Sequence, residues 1–196
     1  MSSEAAWVVH KFGGSSVADA ACFRRVGDIV EARTNERSAI VLSACRGVTD
    51  ALYELVSLAE QRANIDGAVT ALRQRHLGIA GELLSSDAVS RYADELDNDL
   101  RDIRGVQHTV QLTRTASTNV RDLVAGYGEI WSSKLFAYFL RERSRKSAPV
   151  AWVDARKVIV IERGPLGPIV DWGRSRDGLA QAVDVSADNL LVITGF

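Results

Sequence analysis

Two short apolar runs, each followed by a turn and a helix-like pattern, constrain the fold of this chain more than any other feature. Residues 6–12 (AWVVHKF) and 38–44 (SAIVLSA) are brief and rich in β-branched side chains, as is typical of buried strands. Asp19 can cap a helix over roughly residues 20–33, and a second helix pattern begins at Val48 after the turn CRGVTD. This β-α-β-α order predicts an α/β fold with a parallel sheet and helices on its faces. The apolar face predicted for the first helix consists of Phe23, Val26, Ile29 and Val30.

The middle of the chain has a different pattern. Residues of about 66–143 show almost no strand signal and carry apolar residues at helical spacing instead. The three stripes are Val69, Leu72, His76, Ile79 and Leu83; Tyr92, Leu96, Leu100 and Ile103; and Leu123, Val124, Tyr127, Trp131, Leu135 and Tyr138. We interpret this region as a helical insertion that packs beside the sheet.

Strand patterns return in the last quarter of the chain, at residues 148–155, 157–162 and 189–196. Residues 163–178 contain two prolines and four glycines and are predicted to form a loop. The final pattern, NLLVITGF, reads as a core strand that enters a glycine turn. Because ligands in open α/β sheets bind beyond the carboxyl ends of strands, we expect the domain to continue past residue 196.

Composition excludes several classes of protein. The chain has 196 residues, of which 46% are hydrophobic, and 24 basic and 25 acidic residues give a net charge of −1. This balance disfavours a nucleic-acid binder, and no apolar run approaches the length of a membrane span. The N-terminus lacks the pattern of a signal peptide, and the two cysteines, Cys22 and Cys45, are too few for a disulfide framework. A cytoplasmic protein fits these features best.

The turn after the first strand, KFGGSS, has the chemistry of a phosphate site. Gly13 and Gly14 let their backbone N–H groups approach an anion closely, and the following helix adds its positive N-terminal end. Lys11 contributes a compact positive charge. The stretch is neither a P-loop nor the dinucleotide fingerprint. The alternative is a glycine turn beside a solvated lysine.

Two further stretches carry candidate binding residues. In LSACRGVTD, Ser43 and Thr49 could hold a carboxylate, although plain helix capping is the simpler explanation. In AGYGEIW, two glycines flank Tyr127 inside a helical pattern, where each costs about 1 kcal/mol relative to alanine. They indicate a helix break or a close backbone approach. Glu129, directly at this point, could bind an ammonium group or could simply favour a helix N-terminus.

The histidines and cysteines do not predict a metal site or a nucleophile. His10, His76 and His108 are scattered, and the cysteines do not bracket them at the spacing of a zinc site. His76 falls on an apolar stripe and is expected to be a core residue. A nucleophilic Cys45 is disfavoured because only His10, in the neighbouring strand, is expected nearby.

Five motifs, in order, resemble the aspartate kinases: KFGGSSV, VLSACRGVTD, GYGEIWSSKL, WVDARKV and VITGF. The resemblance spans essentially the whole chain, with Ser15 standing where the family usually has threonine. It implies an amino-acid-kinase fold, a three-layer α/β/α sandwich with a mostly parallel central sheet. It also implies ATP-dependent phosphorylation of the β-carboxylate of L-aspartate to 4-phospho-L-aspartate, the first step of lysine, threonine and methionine biosynthesis.

The resemblance also implies roles for single residues, with ATP and Mg²⁺ as cofactors. Lys11 would be catalytic and would stabilise the transferring phosphoryl group. The residues expected to bind ATP are Lys11, Phe12, Gly13, Gly14 and Ser15. The residues expected to bind aspartate are Ser43, Ala44, Thr49, Glu129 and Phe196, with Glu129 on the α-ammonium group. No metal-ligating residue is implied.

The family pattern continues beyond the point where this sequence ends. Relatives carry a further glycine-rich segment, the nucleotide-base pocket and regulatory ACT domains, so the resemblance implies the N-terminal portion of a kinase domain. We expect weak or absent activity from these residues alone and a homo-oligomer for the longer protein. The alternatives are another amino-acid kinase, with glutamate or a nucleoside monophosphate as acceptor, and a non-catalytic interaction module.

Overall fold

The computed structural model describes residues 7–33, 37–143, 149–164, 167–183 and 190–195. The strands in these ranges are β1 (Trp7–Phe12), β2 (Arg37–Leu42), β3 (Val150–Val153), β4 (Val160–Gly164), β5 (Gly167–Asp171) and β6 (Leu190–Thr194). The helices are α1 (Ala20–Glu31), α2 (Val48–Glu60), α3 (Asp66–Leu83), α4 (Ser86–Thr113), α5 (Thr118–Ala125), α6 (Tyr127–Arg143), α7 (Ala155–Val158) and α8 (Trp172–Ala182).

Four of the strands form one sheet in the order β1-β2-β6-β3, and every neighbouring pair is parallel. The remaining two, β4 and β5, form an antiparallel hairpin. The parallel sheet predicted from the β-α-β-α pattern is therefore confirmed. The last strand of the chain, β6, lies between β2 and β3.

The sheet separates two hydrophobic cores, because successive side chains of a strand point to opposite faces. In β2, Ile40 and Leu42 are buried in the larger core, whereas Ala39 lies in the smaller one. The larger core includes side chains from α1 to α6, and the smaller one includes Val158 of α7 and Leu179 of α8. Helices thus cover both faces, which confirms the three-layer α/β/α fold.

The first helix begins where the sequence predicts. The Asp19 carboxylate accepts a hydrogen bond of 2.8 Å from the backbone N–H of Cys22, which caps α1. Phe23, Val26 and Val30 are buried as expected. The expectation for Ile29 was wrong: its side chain is 42% exposed, because the buried stripe of α1 is narrower than the predicted apolar face.

The helical pattern predicted over residues 66–143 corresponds to α3, α4, α5 and α6. His76 lies in the core of this region, where its Nδ1 is 2.8 Å from the carbonyl oxygen of Leu72 and its ring stands edge-on to Trp131 at 5.0 Å. Burial lowers the pKa of His76 to about 4. The expected core role of this histidine is confirmed.

Two assignments near the C-terminus were wrong. Residues 157–162 are not one strand, because α7 occupies Ala155–Val158 before β4 begins. Residues 163–178 are not a loop, because they contain β5 and most of α8. Gly167 and Pro168 serve the hairpin, because Gly167 has φ +123° and Pro168 fits a two-stranded edge, whereas Gly173 and Gly178 lie in α8. Asp171 then caps α8 by accepting a hydrogen bond of 2.9 Å from the Arg174 N–H.

Within these described ranges, no helix combines the length and apolarity needed to cross a membrane.

Candidate active site

The carboxyl ends of the four parallel strands meet at one edge of the sheet. Phe12 ends β1 and Leu42 ends β2, while Val153 and Thr194 end the other two strands at the same edge. Most of the residues predicted to bind ligands follow these ends. Such an edge is where ligands bind in open α/β sheets.

The loops after β1 and β2 are hydrogen-bonded to each other. The Ser43 N–H donates to the Phe12 carbonyl at 3.0 Å, and the Arg46 N–H donates to the Gly14 carbonyl at 3.1 Å. A Cβ on Gly14 would lie 2.8 Å from the Ala44 carbonyl oxygen, so no side chain fits there. Gly14 is therefore required for the close approach of the two loops.

Gly13 has a different environment. It is exposed, and a Cβ added to it would meet no atom within 4 Å. Its carbonyl accepts a hydrogen bond of 2.8 Å from the Ser16 N–H, which closes a short 3-10 turn over Gly14–Val17. Of the two glycines, Gly13 is the one whose bare backbone faces open space, where an anion could approach it.

The other three residues expected to bind ATP differ in their exposure. Lys11 is exposed near the end of β1, and no ion pair to it occurs in the part of the chain that the structure describes. Ser15 is exposed in the 3-10 turn. Phe12 packs against the larger core, so only its backbone reaches the loop. Lys11 and Ser15 are thus the side chains that remain available to a phosphate.

The second glycine of the GYGE motif places α6 against the loop after β2. A Cβ on Gly128 would lie 2.7 Å from the Cβ of Ala44 and 3.2 Å from a methyl group of Val48. One turn later, the Ser132 hydroxyl donates a hydrogen bond of 2.8 Å to the Ser43 carbonyl. The predicted close backbone approach is therefore confirmed, and it brings Glu129 beside Ala44.

Glu129 is a partly buried acid with an incompletely satisfied carboxylate. Its Oε2 atom is buried and has no hydrogen-bond partner within the described ranges. Burial raises the pKa of Glu129, although hydrogen bonds from the backbone N–H groups of Glu129 and Ala44 oppose this shift. A buried acceptor without a donor is unfavourable, and a cationic ligand would supply the missing donor.

The remaining residues of the loop after β2 and the start of α2 differ in burial and in backbone conformation. Gly47, with φ +77°, occupies the N-cap of α2, and no side chain caps this helix end, so capping does not account for Ser43 or Thr49. Thr49 is partly buried in the first turn of α2. Cys45 is 1% exposed, and burial raises the pKa of its thiol to about 12, which is incompatible with a nucleophile at neutral pH.

Two charged residues after β3 also reach this region, and neither is among the site residues expected from the sequence. The Arg156 guanidinium binds the buried Asp154 carboxylate at 2.7 Å and lies 5.6 Å from the ring centroid of Tyr127. Between them, the Ala155 N–H donates to the Thr194 hydroxyl at 2.9 Å, which joins the ends of β3 and β6. The sequence signal for this ion pair is the spacing of Asp154 and Arg156, two residues apart in WVDARKV.

The glycine of the VITGF motif is also required by packing. A Cβ on Gly195 would lie 2.7 Å from the Leu42 carbonyl oxygen, which accepts the Gly195 N–H at 2.8 Å. Phe196, expected at the substrate pocket, lies outside the described residues.

Comparison with known proteins identifies the family. The model of the amino acid kinase family matches residues 6–196. The chain belongs to this family. It is 29% identical to the chloroplastic bifunctional aspartokinase/homoserine dehydrogenase 2 of Arabidopsis thaliana over 192 residues, which are 97% of the chain and 21% of that protein. It is 30% identical to the lysine-sensitive aspartokinase 3 of Escherichia coli over 184 residues, which are 94% of the chain and 37% of that protein.

Solved structures of aspartokinases share the fold of this amino acid kinase chain. E. coli aspartokinase III in complex with aspartate and ADP (R-state) superposes with a TM-score of 0.78 at 28% identity, covering 97% of the chain and 40% of that structure. The same enzyme in complex with lysine and aspartate (T-state) gives a TM-score of 0.76 at 27% identity, covering 94% and 40%. The chain thus spans between about a fifth and two fifths of the length of these relatives.

The described part of the amino acid kinase site offers more to an anion than to Mg²⁺. The described residues contain no group of three His, Cys, Asp or Glu side chains that could hold a metal ion. Mg²⁺ prefers carboxylate and phosphate oxygens, whereas the loop after β1 offers Lys11 and backbone N–H groups. These residues fit the phosphates of a nucleotide, and those phosphates would supply oxygen ligands to a Mg²⁺ ion.

Proposed function

We propose that the protein to which this chain belongs is an aspartate kinase, which transfers the γ-phosphoryl group of ATP to the β-carboxylate of L-aspartate. The observation that carries the proposal is the unpartnered Oε2 atom of Glu129, buried beside Ala44 where the first two strand-end loops meet. A substrate ammonium group would satisfy it. Two similarities support this substrate pair: the curated relatives are aspartokinases by name, and one solved neighbour is in complex with aspartate and ADP.

The proposed reaction needs no general base. An aspartate β-carboxylate has a reference pKa of about 3.9 and is ionised at neutral pH. One of its oxygens attacks the γ-phosphorus, a new O–P bond forms, and the bond to the bridging oxygen of ADP breaks. The protein therefore has to position the β-carboxylate against the γ-phosphorus and to neutralise the negative charge of the transferring group. Lys11 and the backbone at Gly13 are the groups available for this role.

The expected division of the site follows the strand order. Lys11, Gly13, Gly14 and Ser15 would hold the phosphates at the end of β1, with Lys11 on the transferring group. Ser43, Ala44 and Thr49 would surround the aspartate, with Glu129 on its ammonium group. The backbone of Phe12 would add to the phosphate site, and the side chain of Phe196 would add to the aspartate site. These roles rest on the family resemblance and on the placement of the described residues at one edge of the sheet.

The decisive experiment measures acceptor specificity in the longer protein that contains this chain. ADP release and hydroxylamine trapping of the acyl phosphate are compared for L-aspartate, L-glutamate and nucleoside monophosphates, with and without Mg²⁺. We expect aspartate- and Mg²⁺-dependent turnover. Equal or faster turnover with glutamate or a nucleotide acceptor would identify another kinase of the family.

The 196-residue chain, assayed alongside, is expected to show weak or no turnover. Calorimetry with ATP and aspartate separates a kinase from an interaction module, since a module would bind neither ligand. A homo-oligomer and a cytoplasmic location are further parts of the proposal. Light scattering and fractionation of the source cells test them.

A further inference from the structure

The segment after β3 contains a two-point ion pair at the edge of the site. The Arg156 guanidinium donates from Nε to Oδ1 of Asp154 at 3.0 Å and from Nη2 to Oδ2 at 2.7 Å. The Asp154 side chain is 4% exposed and that of Arg156 is 38% exposed. Because both nitrogens are engaged on a buried carboxylate, the plane of the guanidinium is fixed.

The fixed guanidinium lies over an aromatic ring of α6. Its central carbon is 5.6 Å from the centroid of the Tyr127 ring, within the range of a cation–π contact. Tyr127 is the first residue of α6 and follows the break between α5 and α6 at Gly126. The contact therefore joins the end of β3 to the start of the helix that carries Glu129.

The first turn of α6 is held from two sides. Residues two apart on a helix are separated by about 200° around its axis, so Tyr127 and Glu129 point in nearly opposite directions. Tyr127 meets Arg156 on the β3 side, while Gly128 and Glu129 meet Ala44 on the β2 side. A shift of Tyr127 would move the Glu129 carboxylate relative to the loop after β2.

We propose that Arg156 is a positioning residue for substrate binding: anchored by Asp154, it holds the Tyr127 ring and thereby fixes the direction in which Glu129 presents its carboxylate. The inference rests on the proposed function, because it takes Glu129 as the group that binds the substrate ammonium. The inference gives Asp154 and Arg156 of the WVDARKV motif a role, although neither is among the site residues expected from the sequence.

The test separates aspartate binding from the other steps in the longer protein. Tyr127→Leu removes the ring and leaves the ion pair intact, whereas Tyr127→Phe keeps the ring. Arg156→Lys keeps a charge beside Asp154 and loses the planar two-point contact. We expect Tyr127→Leu and Arg156→Lys to raise the KM for aspartate by about 2- to 30-fold, with kcat and the KM for ATP changed less than about twofold. Tyr127→Phe keeps the ring and loses only the hydroxyl, which also hydrogen-bonds Arg156, so its KM for aspartate should stay closer to that of the wild type than the KM of Tyr127→Leu does.

A second readout does not depend on turnover. Hydrogen exchange at the backbone amides of residues 128–130 should become faster in Tyr127→Leu and Arg156→Lys, and change less in Tyr127→Phe, which keeps the ring. The matched control is Arg174→Lys, which alters a surface arginine 3.6 Å from Glu162, and it should change neither readout.

The outcomes distinguish the inference from the proposed function. A wild-type protein without aspartate-dependent turnover contradicts the proposed function. Hydrogen exchange at residues 128–130 then decides whether Arg156 holds the first turn of α6. An active wild type with an unchanged KM for aspartate in both Tyr127→Leu and Arg156→Lys overturns the inference. So does an equal rise in both KM values, which indicates general damage to the fold.

Discussion

At the scale of single residues, Glu129 combines a cost to stability with a use in binding. Burial raises its pKa above the usual value of 4.5, so the folded protein holds this proton more tightly than the unfolded chain does. The ionised form of Glu129 is therefore less favourable in the folded state than in the unfolded chain. Its contribution to the free energy of unfolding falls as the pH rises above 4.5. An ammonium ligand would reverse the balance by stabilising the carboxylate.

Replacing Glu129 with Gln tests this trade-off. We expect Glu129→Gln to raise the free energy of unfolding at pH 7 by up to about 1 kcal/mol, because the charge is removed from a partly buried carboxylate in which one oxygen has no partner. The same change should weaken aspartate binding by at least about tenfold. Urea denaturation and calorimetry measure the two effects. The surface change Glu162→Gln should alter neither, and a Glu129→Gln protein that is less stable than the wild type would contradict the argument.

His76 gives the opposite dependence on pH. Its pKa falls from 6.5 to about 4 on burial, so the unfolded chain takes up the proton first as the solution is acidified. Its contribution to stability is complete above pH 6.5 and declines by about 3 kcal/mol on acidification to pH 4. His76→Leu should remove this slope whatever its effect at pH 7. Urea denaturation at several pH values checks this, and an unchanged slope in the variant would show that other groups cause it.

At the scale of elements, two glycines in helices have opposite roles. Gly128 lies where α6 meets Ala44, and a Cβ there would be only 2.7 Å from the neighbouring Cβ. Gly105 lies within α4, and a Cβ there would meet nothing within 4 Å. Only the first of the two is required by packing.

Alanine at these two positions should change stability in opposite directions. We expect Gly128→Ala to lower the free energy of unfolding by about 1–3 kcal/mol through overpacking, whereas Gly105→Ala should raise it by up to about 1 kcal/mol through helix propensity. Urea denaturation of both variants provides the comparison. A stabilising Gly128→Ala would mean that α6 can move away from Ala44 at little cost.

The elements that were predictable are those whose signals are local. The Asp19 cap and the apolar spacing of α1 are readable because the residues that make the contacts are neighbours in the chain. The segment containing β5 and α8 was missed because Gly164, Gly167 and Pro168 belong to a tight hairpin, and Gly173 and Gly178 lie within a helix, where glycine is disfavoured. In α8 only Ser175 is buried among the helical residues, so the helix carries no apolar stripe that would have revealed it.

The candidate site residues were also selected from local signals, and their binding roles stay predictions. Lys11 and Gly13 lie at the end of β1 and Glu129 lies in the first turn of α6, and all three are near glycines that single out these stretches in the sequence. The contact between Arg156 and Tyr127 joins residues far apart in the chain, so only the folded structure could reveal it.

At the scale of the whole molecule, the order of the sheet could not have been predicted from local patterns. β6 is the last strand in the chain, yet it lies between β2 and β3. This placement follows from long-range pairing, in which Ile40 of β2 and Trp152 of β3 both face Val192 of β6. It also brings Gly195 against the end of β2, so the site depends on a contact between β2 and β6, which are far apart in the chain.

The two cores on either side of the sheet differ greatly in extent, and this difference predicts where the molecule opens first. The larger core joins six helices to one face of the sheet, whereas the buried residues of the smaller core are Ala39, Val153, Val158, Val183 and Leu191. On the smaller side, Trp172 at the start of α8 is 78% exposed, and Ile161 and Ile169 of the hairpin are more than half exposed. Segments with few buried apolar contacts open at the lowest free energy.

We therefore expect hydrogen exchange in low concentrations of urea to reveal two units. The amides of β5 and α8 should lose protection first, and those of β2 and α6 should exchange only with global unfolding, because both contribute to the larger core. Leu179→Ala, which trims α8 where it packs on the smaller core, should speed exchange in α8 and leave α6 unchanged. Leu135→Ala, a matched truncation in the larger core, should lower the protection of both units. If α8 and α6 exchange together in a single transition, the elements on the smaller core open at the same free energy as the rest of the molecule, which would contradict this expectation.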